Sequence, residues 1–113
     1  MSHPERYGEG MRFLFRNRGI RNNPELMEFA RRRIGFALGR FAGRIRTVSV
    51  RVTDVNGPRG GCDKACVVTV DAASPRPITV EERQPKLFAA VALAADRAGR
   101  ATVRQFNRAR RAA

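Results

Sequence analysis

Ile45-Arg46-Thr47-Val48-Ser49-Val50-Arg51-Val52-Thr53-Asp54 sets valines at 48, 50 and 52 against Ser49, Arg51 and Thr53. Alternation of this kind marks a strand with one face in a core and the other in water. Asn56-Gly57-Pro58-Arg59-Gly60-Gly61 then breaks the pattern, and glycine and proline at this density spell a loop. The alternation resumes over Lys64 to Ala72, with Cys66, Val68 and Val70 on one face. Pro75 and Pro77 bracket a short turn, and Ile78 and Val80 mark a further short strand. Three successive strands make a sheet. What lies on either side decides how it is covered.

Upstream, Met11 to Arg16 alternates Phe13 and Phe15 with Arg12 and Arg16, a first strand. Asn22-Asn23-Pro24-Glu25 opens a helix, with Asn23 as N-cap, Pro24 at the first helical position and an acid in the first turn. That helix runs to about Arg40 or Phe41, and Leu26, Met27, Ala30, Ile34, Ala37, Leu38 and Phe41 form its apolar face. Gly35 and Gly39 cost it about 1 kcal/mol each relative to alanine, a loss that close backbone approach to a neighbour would offset. Downstream, Pro85 opens a second helix to about Arg110, with Leu87, Val91, Ala94, Ala95, Ala98, Thr102 and Phe106 inward. Residues 1–10 are polar and read as a flexible extension, and 11–113 as a single domain. The order β-α-β-β-β-α predicts an α+β two-layer sandwich, a small four-stranded sheet with two helices on one face.

Charge carries the functional reading. Lys and Arg number 23 against 10 Asp and Glu, a net +13 over 113 residues. Acids are absent between Glu9 and Glu25, between Glu28 and Asp54, and after Asp96. In the last stretch Arg97, Arg100, Arg104, Arg108 and Arg111 fall within an arc of about 80° on a helix, away from its apolar face. Like charges without interleaved acids repel unless an anion screens them, and arginine's planar fork suits phosphate. The row therefore points to RNA. Arg33 and Arg40 share a side of the first helix, flanked by Phe29 and Phe36. That set is either a surface on which bases stack or a second packing edge, with packing preferred. Arg59 and Lys64 are either plain hairpin residues or a finger touching RNA.

Other classes find little support. No segment approaches the roughly 18 apolar residues of a membrane span. A peripheral membrane helix needs exposed bulky apolar residues beside its basic ones, and the second helix offers mainly alanine. Cys62 and Cys66, if extended, stand about 13 Å apart, too far for a disulfide. With His3 the only histidine, a zinc site lacks ligands, so no metal is expected. The Gly57–Gly61 loop lacks the Gly-Lys-Ser/Thr ending of a phosphate cradle and leads into a strand. No nucleophile and base pair up, so the chain is not read as an enzyme. Reduced cysteines suit a cytoplasmic protein.

The stretch Asp54-Val-Asn-Gly-Pro-Arg-Gly-Gly-Cys-Asp-Lys-Ala-Cys66, a valine-rich strand, and Leu87-Phe88-Ala-Ala-Val91 opening an arginine-rich helix together resemble the ribosome hibernation-promoting factor / ribosome-associated inhibitor family. The resemblance spans roughly residues 11–110. It implies the same β-α-β-β-β-α fold, binding to 16S rRNA of the small (30S) subunit and to the 70S ribosome, and occupation of the channel for messenger and transfer RNA. It also implies translation inhibition with no cofactor, no small-molecule substrate and no catalysis. Arg97, Arg100 and Arg104 match positions where the family presents charge to rRNA, and Lys64 matches the lysine of the loop-strand motif. Lys86 stands where an acid usually precedes the Leu-Phe/Tyr pair, as an added contact or an altered helix start. The chain stops soon after the second helix, without the extra dimerisation domain of the family's long forms, so the resemblance does not extend to ribosome dimerisation by this chain alone. Off the ribosome a monomer is expected. The alternative is a general binder of structured RNA.

Overall fold

The computed structural model describes residues 5–7, 11–21, 23–54, 63–72 and 76–112. In chain order they form β1 (Glu5–Tyr7), β2 (Met11–Arg18), α1 (Pro24–Leu38), a 3-10 segment (Gly39–Arg44), β3 (Ile45–Asp54), β4 (Lys64–Ala72), β5 (Ile78–Gln84) and α2 (Leu87–Ala112). The strands lie side by side in sequence order. Only β2 and β3 run parallel, because α1 lies between them in the chain and returns it to the same end of the sheet.

Strands β2 to β5 are the four that alternation predicts. Glu5–Tyr7 adds a short fifth at the β2 edge, antiparallel, with Arg6 opposite Arg12. Three residues carry too little side-chain pattern to be read as a strand; the rest of 1–4 and 8–10 lies outside the described residues. Strand β5 runs four residues beyond Val80, since Glu81 to Gln84 pair with Val67 to Lys64 through backbone alone. Helix α2 begins at Leu87 rather than Pro85, with the Lys86 carbonyl accepting from the Ala90 N–H at 3.1 Å.

Local chemistry explains the ends of α1. The Asn23 side chain accepts from the Leu26 N–H at 3.1 Å, and Pro24 fills the first helical position, where no N–H is needed. Leu26, Ala30, Ile34 and Leu38, at spacings of four, are fully buried. They meet Met11, Phe13 and Phe15 of β2 and the inward valines of β3 and β4 in one core. Ala90, Val91, Ala94, Ala95, Ala98 and Phe106 of α2 complete it. Thr102 is buried among them, and its hydroxyl donates to the Ala98 carbonyl at 2.8 Å, which removes the cost of an unpaired polar group. Both helices thus cover one face of the sheet. The other face carries Arg12, Arg16, Ser49, Arg51, Thr69 and Thr79, exposed or half-buried.

Candidate nucleic-acid interface

The close approach of the two helices shapes the site. Gly99 of α2 faces Ala37 of α1, and a Cβ at 99 would stand 3.2 Å from both the Cβ and the carbonyl oxygen of Ala37. Gly99 thus permits a close approach, whereas around Gly39 an added Cβ would meet nothing within 4 Å. Along this seam runs an open groove lined by Ala37, Arg40, Asp96, Gly99, Arg100 and Arg104. The charged ends of Arg40, Arg100 and Arg104 are exposed around it, and none has a carboxylate partner among the described residues. Arg108 and Arg111 extend the row beyond Phe106, where residues 107–111 lie exposed or half-exposed. Successive members at i and i+4 rise about 6 Å along the axis.

Aromatic rings support the base of this surface. The Arg40 guanidinium stands 4.8 Å from the Phe41 ring centre, and that of Arg44 stands 3.8 Å from the Phe106 ring centre. The two rings meet edge to face at 5.2 Å. Cation–π contact of this kind holds a guanidinium in place without neutralising it.

Other residues expected to meet RNA are already engaged within the protein. Arg97 turns to the sheet, its Nη1 donating to the Glu82 carboxylate at 2.6 Å and to the Glu81 carbonyl at 2.7 Å. Glu82 lies opposite Cys66 in the β4–β5 register, and so on the helix side of the sheet, where Arg97 reaches it. Arg33 bonds Asp96 across the helix seam at 3.0 Å, while its buried Nε has no acceptor among the described residues. Lys64 sits between Asp63 at 3.1 Å and Asp54 at 3.5 Å, and the hydrogen bond to Asp63 is the main cause of its raised pKa. Lys86 is exposed at the start of α2, and Arg59 and Cys62 lie outside the described residues.

The two phenylalanines of α1 part company. Phe29 packs edge-on against Phe88 with ring centres 4.9 Å apart, the packing role. Phe36 is 90% exposed, between Arg32 and Arg40 at spacings of four.

The family described as sigma 54 modulation protein / S30EA ribosomal protein matches residues 14–110, from within β2 almost to the end of α2. The chain belongs to that family. It is the group of ribosome-associated factors that the Gly-Gly-x-Asp-Lys-x-Cys stretch and the basic second helix resemble. The crystal structure of the Thermus thermophilus Protein Y N-terminal domain superposes with a TM-score of 0.65 at 18% identity, over 80% of this chain and 92% of that one. A ribosomal subunit interface protein from Coxiella burnetii gives 0.61 at 12% identity, over 77% and 88%. At these identities the likeness is one of fold. No curated protein matches the chain.

The structure also brings out basic residues that helix periodicity overlooks. Arg44 is exposed, with its guanidinium over the Phe106 ring. Arg12, Arg16 and Arg18 share one face of β2 with Arg51 of β3 beside them. The available signal was parity: these arginines occupy the strand positions left over by Met11, Phe13, Phe15, Val50 and Val52.

Proposed function

We propose that this chain is a ribosome hibernation factor that lays the α1–α2 groove and the α2 arginines Arg100, Arg104, Arg108 and Arg111 on 16S rRNA in the messenger and transfer RNA channel of the small subunit. Bound there, it inhibits translation by occupancy, using no cofactor or small-molecule substrate and catalysing nothing. It works in the cytoplasm and is a monomer off the ribosome. Family membership supports the ribosome as partner. The observation that carries the contact is the convergence of Arg40, Arg100 and Arg104 on one groove, with Asp96, the acid in its lining, already bonded to Arg33. Phosphate oxygens are the acceptors that such a set lacks.

Phe36 makes a second kind of contact available, a ring on which an unpaired base stacks, flanked by Arg32 and Arg40. The test of the whole reading is co-sedimentation with vacant ribosomes and small subunits on sucrose gradients at two salt concentrations, beside naked duplex RNA. A hibernation factor sediments with the subunit, prefers it to duplex RNA, and blocks transfer RNA binding. Comparable binding to duplex RNA and ribosomes favours the general RNA binder instead. Protein left at the top of the gradient at about 100 mM salt, where counterion competition is still moderate, contradicts both.

A further inference from the structure

The sheet face turned away from the helices carries its own positive surface. Arg12, Arg16 and Arg18 project from the same face of β2, since Met11, Phe13 and Phe15 fill the other. The parallel register places Arg51 of β3 opposite Arg16, Thr47 opposite Arg12 and Thr53 opposite Arg18. A shallow groove runs across this face, lined by Leu14, Arg16, Ser49, Arg51, Val67 and Thr69. Acids near it are spoken for: Glu81 bonds Arg83 at 2.9 Å and Asp71 bonds Arg46 at 3.1 Å. Arg12, Arg18 and Arg51 have no carboxylate partner among the described residues.

We infer that the open sheet face is a second contact for an RNA sugar-phosphate backbone, so that the chain is held between RNA on both sides. This rests on the proposed ribosomal role and adds to it a surface that the helix groove does not include. Charge complementarity selects the occupant. A second copy of this chain would set arginines against arginines. A lipid surface would need exposed bulky apolar groups to bury, whereas Phe36, Phe88 and Leu93, the large exposed ones among the described residues, are all on the helices. No aromatic ring lies on this face beside the arginines among the described residues, so the contact is with phosphate and ribose, through guanidinium forks and the hydroxyls of Ser49 and Thr69, and is indifferent to base sequence. The helix groove and this face lie on opposite sides of a molecule whose smallest extent is 18 Å, so different RNA segments meet them.

The experiment titrates purified small subunits with the wild-type chain and with Arg12→Gln/Arg18→Gln/Arg51→Gln, over a series of salt concentrations. Removing one arginine–phosphate pair makes the dependence of log K on log salt shallower by about one. The variant is expected to bind roughly tenfold or more weakly near 100 mM salt, with a slope shallower by about two to three. A second readout needs no arginine substitution: an iron chelate tethered at Ser49→Cys, in a Cys62→Ser background, is expected to cleave rRNA in the bound subunit. Unchanged affinity and slope with no cleavage from position 49, while the wild type binds, overturns this inference and leaves the proposed function standing. A wild type that does not bind subunits overturns both. Vesicles containing phosphatidylserine that hold the wild type but not the variant, with subunit binding equal, would assign the face to a membrane and overturn the RNA contact.

Discussion

Gly99 on α2 lies against Ala37 on α1 so closely that a Cβ added at 99 would stand 3.2 Å from the Ala37 side chain and carbonyl. That approach draws Arg100 and Arg104 to Arg40 and so defines the basic groove. Gly99→Val is expected to lower stability by about 2 kcal/mol, as overpacking does, and to weaken subunit binding by splaying the groove. Gly39 has helical φ of −57° and open space around it, so Gly39→Ala is expected to add about 0.4–1 kcal/mol. Denaturant melts and subunit titrations check both. A Gly99→Val protein with wild-type stability and binding would show that the close approach matters to neither.

Phe29 and Phe36 make a matched pair for separating packing from exposure. Phe29→Ala removes the ring that meets Phe88 and is expected to cost about 1–3 kcal/mol, below the range for a fully buried ring. Phe36→Ser is expected to change stability by less than about 0.5 kcal/mol, because the ring is 90% exposed. Equal losses in the two melts would contradict the packing described for α1.

Burial pushes the Cys66 thiol up to about 12 from its ordinary value of 9.0. The unfolded chain therefore loses this proton at a lower pH than the folded one. Stability tied to Cys66 is intact below about pH 9 and falls as pH rises toward 12, by at most about 1.4 kcal/mol per pH unit. In a Cys62→Ser background, a thiol reagent at pH 8 is expected to label Cys66 only as fast as the protein unfolds. A further Cys66→Ala substitution is expected to flatten the alkaline loss of stability. Rapid labelling of the native protein would contradict the burial.

Arg97 ties α2 to β5 through Glu82, with the arginine side chain 45% exposed and the glutamate 19%. Solvent screens such a pair, so Arg97→Gln is expected to cost about 0.5–1.5 kcal/mol of stability. Its effect on subunit affinity is expected to be smaller than that of Arg104→Gln, which in turn leaves the melt unchanged. The reverse ranking in titrations and melts would return Arg97 to the RNA surface.

Much of this architecture is legible in the chain itself. Alternation at Val48, Val50 and Val52 and at Cys66, Val68 and Val70 marks the central strands, and Asn23-Pro24 marks the start of α1. The outer half of β5 is not legible, because Glu81 to Gln84 is held by backbone pairing and shows no apolar rhythm. The partner of Arg97 is equally hidden. A helical wheel places Arg97 with Arg100 and Arg104, yet Glu82 lies 15 residues earlier on another element and comes within reach only when α2 packs on the sheet. Arg33 meets Asp96 across 63 residues in the same way. Periodicity assigns a residue to a face; which charges stay uncompensated there depends on tertiary partners.

The central claim is that uncompensated arginines around the α1–α2 groove hold ribosomal RNA. Its most direct test is the salt dependence of small-subunit binding by Arg40→Gln/Arg100→Gln/Arg104→Gln, substitutions that keep helix propensity and much of the aliphatic stem. With the core untouched, the melting temperature should stay near that of the wild type, affinity should fall by a factor of about ten or more, and the log–log salt slope should become shallower by about two to three. Wild-type affinity and wild-type slope in the folded triple variant would contradict the claim.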